Sequence, residues 1–353
     1  MRVIGRLILS AVFLLLTVLL VAAATYVPGF FLFYTPFSQQ ALSFLAGVFA
    51  PFPFAAWQPL LAVIVLAALY FLVRCFTKRR GFLRWLAGIC CIISLFFFAF
   101  VALWGLNHWA PPVSAHLGLE TKQYTVQELY DTTVFMAQQA DQHAQQVART
   151  PDGDLRIDFA AMAKTAGAAY EPLATRSAFF SAPSIPVKPL LADKAFSYMG
   201  LTGIFICYTG ESGVNPDTYA ASLPFTMCHE VAHRLTVAPE NEANFCAFLA
   251  CTASEDPAFQ YSGWYSAFIH CYNALYRADR DAAAQLRSTL SPSLDRDLRR
   301  ATEHYDQYEG KVRDAATKVN DTYLKAFNEE SGVQSYGAVT DLLIAWFLQT
   351  NRA

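Results

Sequence analysis

Hydrophobic and polar positions follow two different patterns along the chain, and the change falls near residue 108. Ahead of it, apolar residues run on with no helical or strand period; behind it, they recur at helical spacing among charged residues. Three uncharged runs stand out: Leu7 to Thr25, Trp57 to Val73 and Trp85 to Leu106. They predict helices near 7–26, 56–75 and 85–106, each of roughly 20 residues, the length that crosses ~30 Å of hydrocarbon. The first run follows a basic start, Arg2 and Arg6, and contains Ala22-Ala23-Ala24, which also suits a cleavable signal segment. Ser38 to Ala50 is apolar too, but too short to span, so it is expected to lie in the interface or dip into the bilayer. Were it to span, everything behind it would change sides.

The polar part, 109–353, reads as mainly helical. Thr125-Val126-Gln127-Glu128 is a capping box opening a helix to about Val147. Asp158 caps a second, running to about Thr175. Pro183, Pro186 and Pro189 are expected to exclude regular structure over their stretch. Leu201 to Tyr208 is partly β-branched and reads as a strand, ended by Gly210 and Gly213. Helices follow at Ser222–Leu235, Glu240–Ser254, Ala258–Arg277, within Leu294–Phe327, and at Tyr336–Leu348. The last is too short and too close to polar residues to read as a fourth span.

Charge adds a direction to this division. No acid and only seven of the 26 bases precede Glu120, so the remainder, with all 28 acids, carries a formal charge of −9. Lys78, Arg79, Arg80 and Arg84 lie between the second and third runs, and Arg2 and Arg6 precede the first. Basic flanks face the cytoplasm, so the amino terminus is expected there and the polar domain on the extracytoplasmic side of a cell membrane. An acidic domain offers nucleic acid no footprint, and spans without charged residues argue against transport. Cys207, Cys228, Cys246, Cys251 and Cys271 fall in the polar part; with an odd count, most are expected to be buried thiols.

The candidate chemistry lies in His229-Glu230-Val231-Ala232-His233. Histidines four apart on a helix project from one face, one turn apart, where both imidazoles reach a single zinc ion. Glu230 lies about 100° round the helix, beside an open metal position, where it can act as general base. The helix is otherwise apolar, and buried His and Glu without partners are costly. The third ligand is expected from Glu240 or Glu242, which open the next helix and could otherwise only complement its N-terminus. Spacing favours Glu240, because Glu240 and Asn244 resemble the Glu and later Asp of gluzincin-type metallopeptidases. Asn244 would accept an imidazole N–H and fix the tautomer.

With these residues in view, the chain resembles the bacterial membrane-protein family catalogued as domain of unknown function 3810. The matching stretches are Trp104 to Asn107, Tyr124 to Leu129, Thr209 to Glu211 with Asn215, and Leu223 to Thr226. Beyond them come the HEVAH motif, Glu240 to Phe245, and Tyr261 to Gly263. The resemblance implies transmembrane helices joined to a zincin-like α+β domain, with peptidase activity by motif only. The family has Gly three residues past the second histidine; Thr236 stands there here, so the turn toward Glu240 is expected to take another route.

Lesser candidates complete the set. The strand at 201–208 could pair with an extended substrate or simply belong to the core. Glu211 and Asn215 are candidate substrate contacts or loop supports. Tyr261 is a candidate oxyanion donor, though more in keeping with aromatic packing. His270 reads as a core residue, and His108, His116, His143 and His304 have no motif context. The expected activity is zinc-dependent hydrolysis of peptide bonds in a peptide or protein substrate, by an enzyme seated in a lipid bilayer. The alternatives are a catalytically silent zinc-binding module for binding or signalling, and a membrane part that senses lipid beneath an outer lid.

Overall fold

The computed structural model of the chain describes residues 3–77, 81–181, 183–327 and 335–351. Arg2, Lys78, Arg79 and Arg80 lie outside them. Among the described residues, three helices are long and apolar enough to cross a membrane: α1 (Val3–Tyr26), α3 (Trp57–Thr77) and α4 (Phe82–Leu103). The first packs along α4, and Arg6 donates to the carbonyl of Arg84, so the basic ends of these two lie together.

Between α1 and α3 the structure departs from expectation. The segment expected to begin at Ser38 is a 20-residue helix, α2 (Phe30–Phe49), opened by Gly29 at φ 75° and continuing through Pro36. Tyr34, Ser38, Leu42 and Ala46, four apart, form its buried stripe. Ser38 donates to the carbonyl of Leu103, and Gln39 donates to that of Phe179 at 2.8 Å. α2 therefore packs between the apolar helices and the polar domain.

The polar domain is built on buried helices. α5 (Val126–Ala144) opens with the capping box, Thr125 and Glu128 each capping the other. The helix expected from Asp158 is shorter. α6 (Phe159–Thr165) is capped by Asp158 but gives way near Gly167, where a Cβ would lie 3.1 Å from the Ser184 backbone. A small three-stranded sheet follows, in the order β1-β3-β2. β1 (Lys188–Pro189) is parallel to β3 (Glu211–Val214), and β2 (Gly203–Ile206) is antiparallel to it. Two expectations are corrected here. Pro189 stands in a strand, possible because that strand is an edge. Gly210, at φ 66°, does follow the end of the strand and turns the chain into β3, but Gly213 ends nothing and lies inside β3. No side chain fits at Gly210, since a Cβ would meet the carbonyl of Leu42 on α2 at 2.2 Å.

Behind the sheet lie α7 (Leu223–Arg234), α8 (Glu240–Ala253) and α9 (Pro257–Ala278). Ten consecutive residues of α8, Glu242 to Cys251, are buried, so it is the central element of the core. Of the helices with eight or more residues, those that follow are α10 (Arg280–Arg287), not anticipated, α11 (Pro292–Asp306), α12 (Lys311–Ala326) and α13 (Ser335–Asn351). Gly310, at φ 147°, separates α11 from α12 within what read as one stretch. α13 buries Val339, Leu342, Leu343 and Ile344 against the core. All five cysteines of the polar part are buried thiols.

The turn after α7 also corrects the sequence reading. Thr236 adopts φ 73°, the left-handed conformation that glycine would have supplied. The Val237 N–H reaches Ala232 at 3.1 Å and the Thr236 N–H reaches His233 at 2.9 Å, closing a Schellman turn. The route is the glycine route, held despite a β-branched residue because the turn is buried on all sides.

Candidate metal centre

α7 and α8 meet at the Schellman turn, which brings the opening of α8 over the exposed edge of the motif. His229 and His233 stack edge to face, centroids 4.6 Å apart. Glu240 spans them: Oε2 lies 3.3 Å from His229 Nε2, and Oε1 3.8 Å from His233 Nε2. One donor atom from each of the three lies within 4.8 Å of the others. The structure thus brings Glu240 to the histidines. It turns Glu242 away, to accept from the Ser114 N–H at 3.2 Å and the Ser114 hydroxyl at 3.3 Å.

Each imidazole is held from behind. His229 Nδ1 lies 3.0 Å from Asn244 Oδ1, and His233 Nδ1 lies 2.7 Å from the carbonyl of Val237. Oxygen acceptors at both Nδ1 atoms place the ring protons there and leave the Nε2 lone pairs aimed at Glu240. Two lone pairs and a carboxylate converging in a buried site repel one another unless a proton or a cation lies between them. This donor set, two nitrogens and an oxygen with room beside them, fits zinc.

Glu230 occupies the floor. Its side chain is 4% exposed, and its Oε2 has no hydrogen-bond partner among the described residues. Oε1 lies against Gly203 of β2, where a Cβ would come within 2.3 Å. The Ser212 hydroxyl on β3 donates to the Glu230 carbonyl at 2.7 Å, fixing helix to sheet. Burial, reinforced by Glu240 and opposed by His229, pushes the Glu230 carboxyl up to about 8. Burial, with the charge of His229, lowers His233 to about 4. His229 is also buried, but the hydrogen bond and charge of Glu240 outweigh burial and raise it.

The centre opens into a cleft of about 740 Å³. Its walls are β2, the first residues of α8, one side of α12 and the end of α4. Two of its residues, Trp104 and Tyr323, carried no chemical signal in the sequence. The Trp104 ring meets His233 edge on at 5.6 Å, and the Tyr323 hydroxyl lies 3.4 Å from Trp104 Nε1 and 3.2 Å from His108 Nε2. Only proximity in the fold joins residues this far apart in the chain.

Other candidates lie elsewhere. Tyr261 is wholly buried, its hydroxyl donating to Asp297, away from the cleft. Glu211 accepts from the N–H groups of Ala56 at 2.9 Å and Trp57 at 3.0 Å, capping α3. Asn215 donates to the carbonyls of Asp193 and Leu201 and so shapes the loop before β2. His116 stacks on Phe179 and His143 on Trp264, while His304 bonds the carbonyl of Asp217.

A mainly helical domain behind three apolar helices, with two histidines and a glutamate around a cleft, is the class that fold and site define. Residues 32–344 match the family described as "Protein of unknown function (DUF3810)", and the chain belongs to that family. The match begins within α2 and runs into α13, so it covers every residue of the cluster. No curated protein matches the chain. No solved structure does either.

Proposed function

We propose that the chain is a membrane-anchored zinc metallopeptidase with a zincin-like centre. The observation that carries this reading is the orphaned, buried Glu230 carboxylate beside a converged His229–His233–Glu240 set. A purely structural helix would not place an unpartnered carboxyl there, because its desolvation goes unrepaid. The alternative, a silent zinc-binding module, does not need Glu230 at all.

In this reading His229, His233 and Glu240 hold the ion, and Asn244 and the Val237 carbonyl orient the two rings. Zinc bound there supplies a Lewis acid that polarises a peptide carbonyl and acidifies water. Glu230 takes the proton of the attacking water at its free Oε2 and hands it to the leaving nitrogen. β2 provides the edge along which an extended peptide lies. The three apolar helices span the membrane. Arg6 and Arg84 mark the cytoplasmic end and the cleft faces the extracytoplasmic side, as the basic flanks direct.

Metal analysis and peptide hydrolysis on one set of variants test this. The wild type is expected to hold one zinc per chain and His233→Ala to lose it. Glu230→Gln is expected to keep zinc while hydrolysis falls by about 10²–10⁴-fold. Full zinc in His233→Ala, or full activity in Glu230→Gln, would refute the assignment.

A further inference from the structure

The cleft is placed unusually low for a domain standing on membrane helices. α4 has 22 residues, a rise of about 33 Å, close to the ~30 Å of a hydrocarbon core. Trp104, the residue after it, already touches His233. The turn leaving β2 reaches lower still. The Tyr208 hydroxyl donates to the Phe96 carbonyl of α4 at 3.0 Å, and their rings lie 5.0 Å apart. Phe96 precedes the end of α4 by about two turns, so Tyr208 lies roughly 10 Å down the span. That turn, Cys207 to Gly210, carries no charge that would forbid such depth.

β2 therefore runs from Glu230, which touches Gly203, down toward the bilayer at Tyr208. Its inner side pairs with β3; its outer side faces the cleft, with Gly203 through Tyr208 in the wall. The two ends of this groove differ in chemistry. The lower end is apolar, lined by Phe100, Trp104 and Phe205. At the upper end, Thr202, Phe225, Thr226 and Arg313 are shared with a second chamber of about 320 Å³. That chamber has a largely apolar wall but adds charged and polar groups, with Asn215, Asp217, His270 and Tyr305 among its lining.

We infer that the substrate is a polypeptide at its point of exit from the bilayer. It is taken along β2, with its apolar portion against the end of α4 and its polar portion in the upper chamber. The inference rests on the peptidase reading above and names its substrate class. A chain leaving hydrocarbon in extended form has unpaired N–H and C=O groups, costly where water is scarce. The edge of β2 supplies partners at that depth, and an anchored segment arrives with most of its freedom of approach already lost.

The test uses the full chain, zinc-loaded, in lipid nanodiscs. One library of randomised segments is presented three ways: fused directly to a transmembrane helix, fused through a flexible ~25-residue Gly/Ser spacer, and free in solution. Directly fused segments are expected to be cut within about ten residues of the bilayer, an extended reach of ~33 Å. Their kcat/KM should exceed that of the other two forms by about tenfold or more. Equal rates in all three, or a spacer or free form cut faster than the direct fusion, would overturn the inference and leave the peptidase reading standing. Zinc bound with no cleavage in any form would instead overturn the peptidase reading, and this one with it.

Discussion

The two histidines look alike in the sequence but are held in different ways. His233 leans on a main-chain carbonyl, that of Val237, which the Schellman turn carries into place. His229 leans on a side chain, Asn244, whose amide nitrogen is itself buried without a partner. The Asn244 contact is therefore the one a substitution can remove. Asn244→Ala is expected to weaken zinc binding about 10–100-fold in a chelator competition. Asn244→Asp should recover it, since a carboxylate accepts the same proton and leaves no orphaned donor. If Asn244→Ala binds zinc as tightly as the wild type, some other contact orients the ring.

At the scale of elements, one close approach dominates. Gly203 lets β2 lie against the Glu230 carboxylate, and there is no space for even a methyl group, which would sit 2.3 Å from Oε1 and 2.8 Å from Cδ. Gly203→Ala must displace Glu230, while His229, His233 and Glu240 stand on α7 and α8, away from the added atom. Hydrolysis is expected to fall by about 10²-fold with zinc content unchanged, because a shift near 1 Å costs about that much. Loss of zinc in step with activity would mean that the strand holds up the whole centre rather than its base. The elements were legible in uneven degree. α5, with its capping box, and α7, with Pro224 in its first turn, were readable to within a few residues. β3 was not, because its four residues, Glu-Ser-Gly-Val, alternate nothing and are buried on both faces.

Across the whole molecule, the joint between the apolar helices and the polar domain is polar and specific. Glu211 caps α3 from the sheet, and Lys188 donates to the carbonyls of Ala50 and Phe52 in the loop between α2 and α3. On the far side of the domain, Asp297 on α11 joins two helices and a loop: it accepts from Tyr261 on α9 and, at 2.8 Å, from Arg149 in the loop after α5. The Asp297 side chain is wholly buried and Arg149 is 16% exposed, so removing the carboxylate leaves a cation with little water. Asp297→Ala is expected to cost about 3 kcal/mol in thermal or denaturant unfolding, the toll of an uncompensated buried charge. A change below about 0.5 kcal/mol would show the pair to be no more than a surface bridge.

The sequence by itself determined the division of the chain, the apolar helices and the spacing of the candidate metal motif. Each depends on local period, charge and turn chemistry, and these are written within a few residues of one another. It also narrowed the third donor to two glutamates. Only the tertiary structure separated them: Glu240 lies against the two histidines and Glu242 against Ser114, far back in the chain, a pairing that no spacing contains. The same holds for Trp104 and Tyr323 in the cleft and for the depth of Tyr208 along α4. Contacts between residues a hundred or more positions apart are set by how packed faces fit, and local pattern carries no record of that.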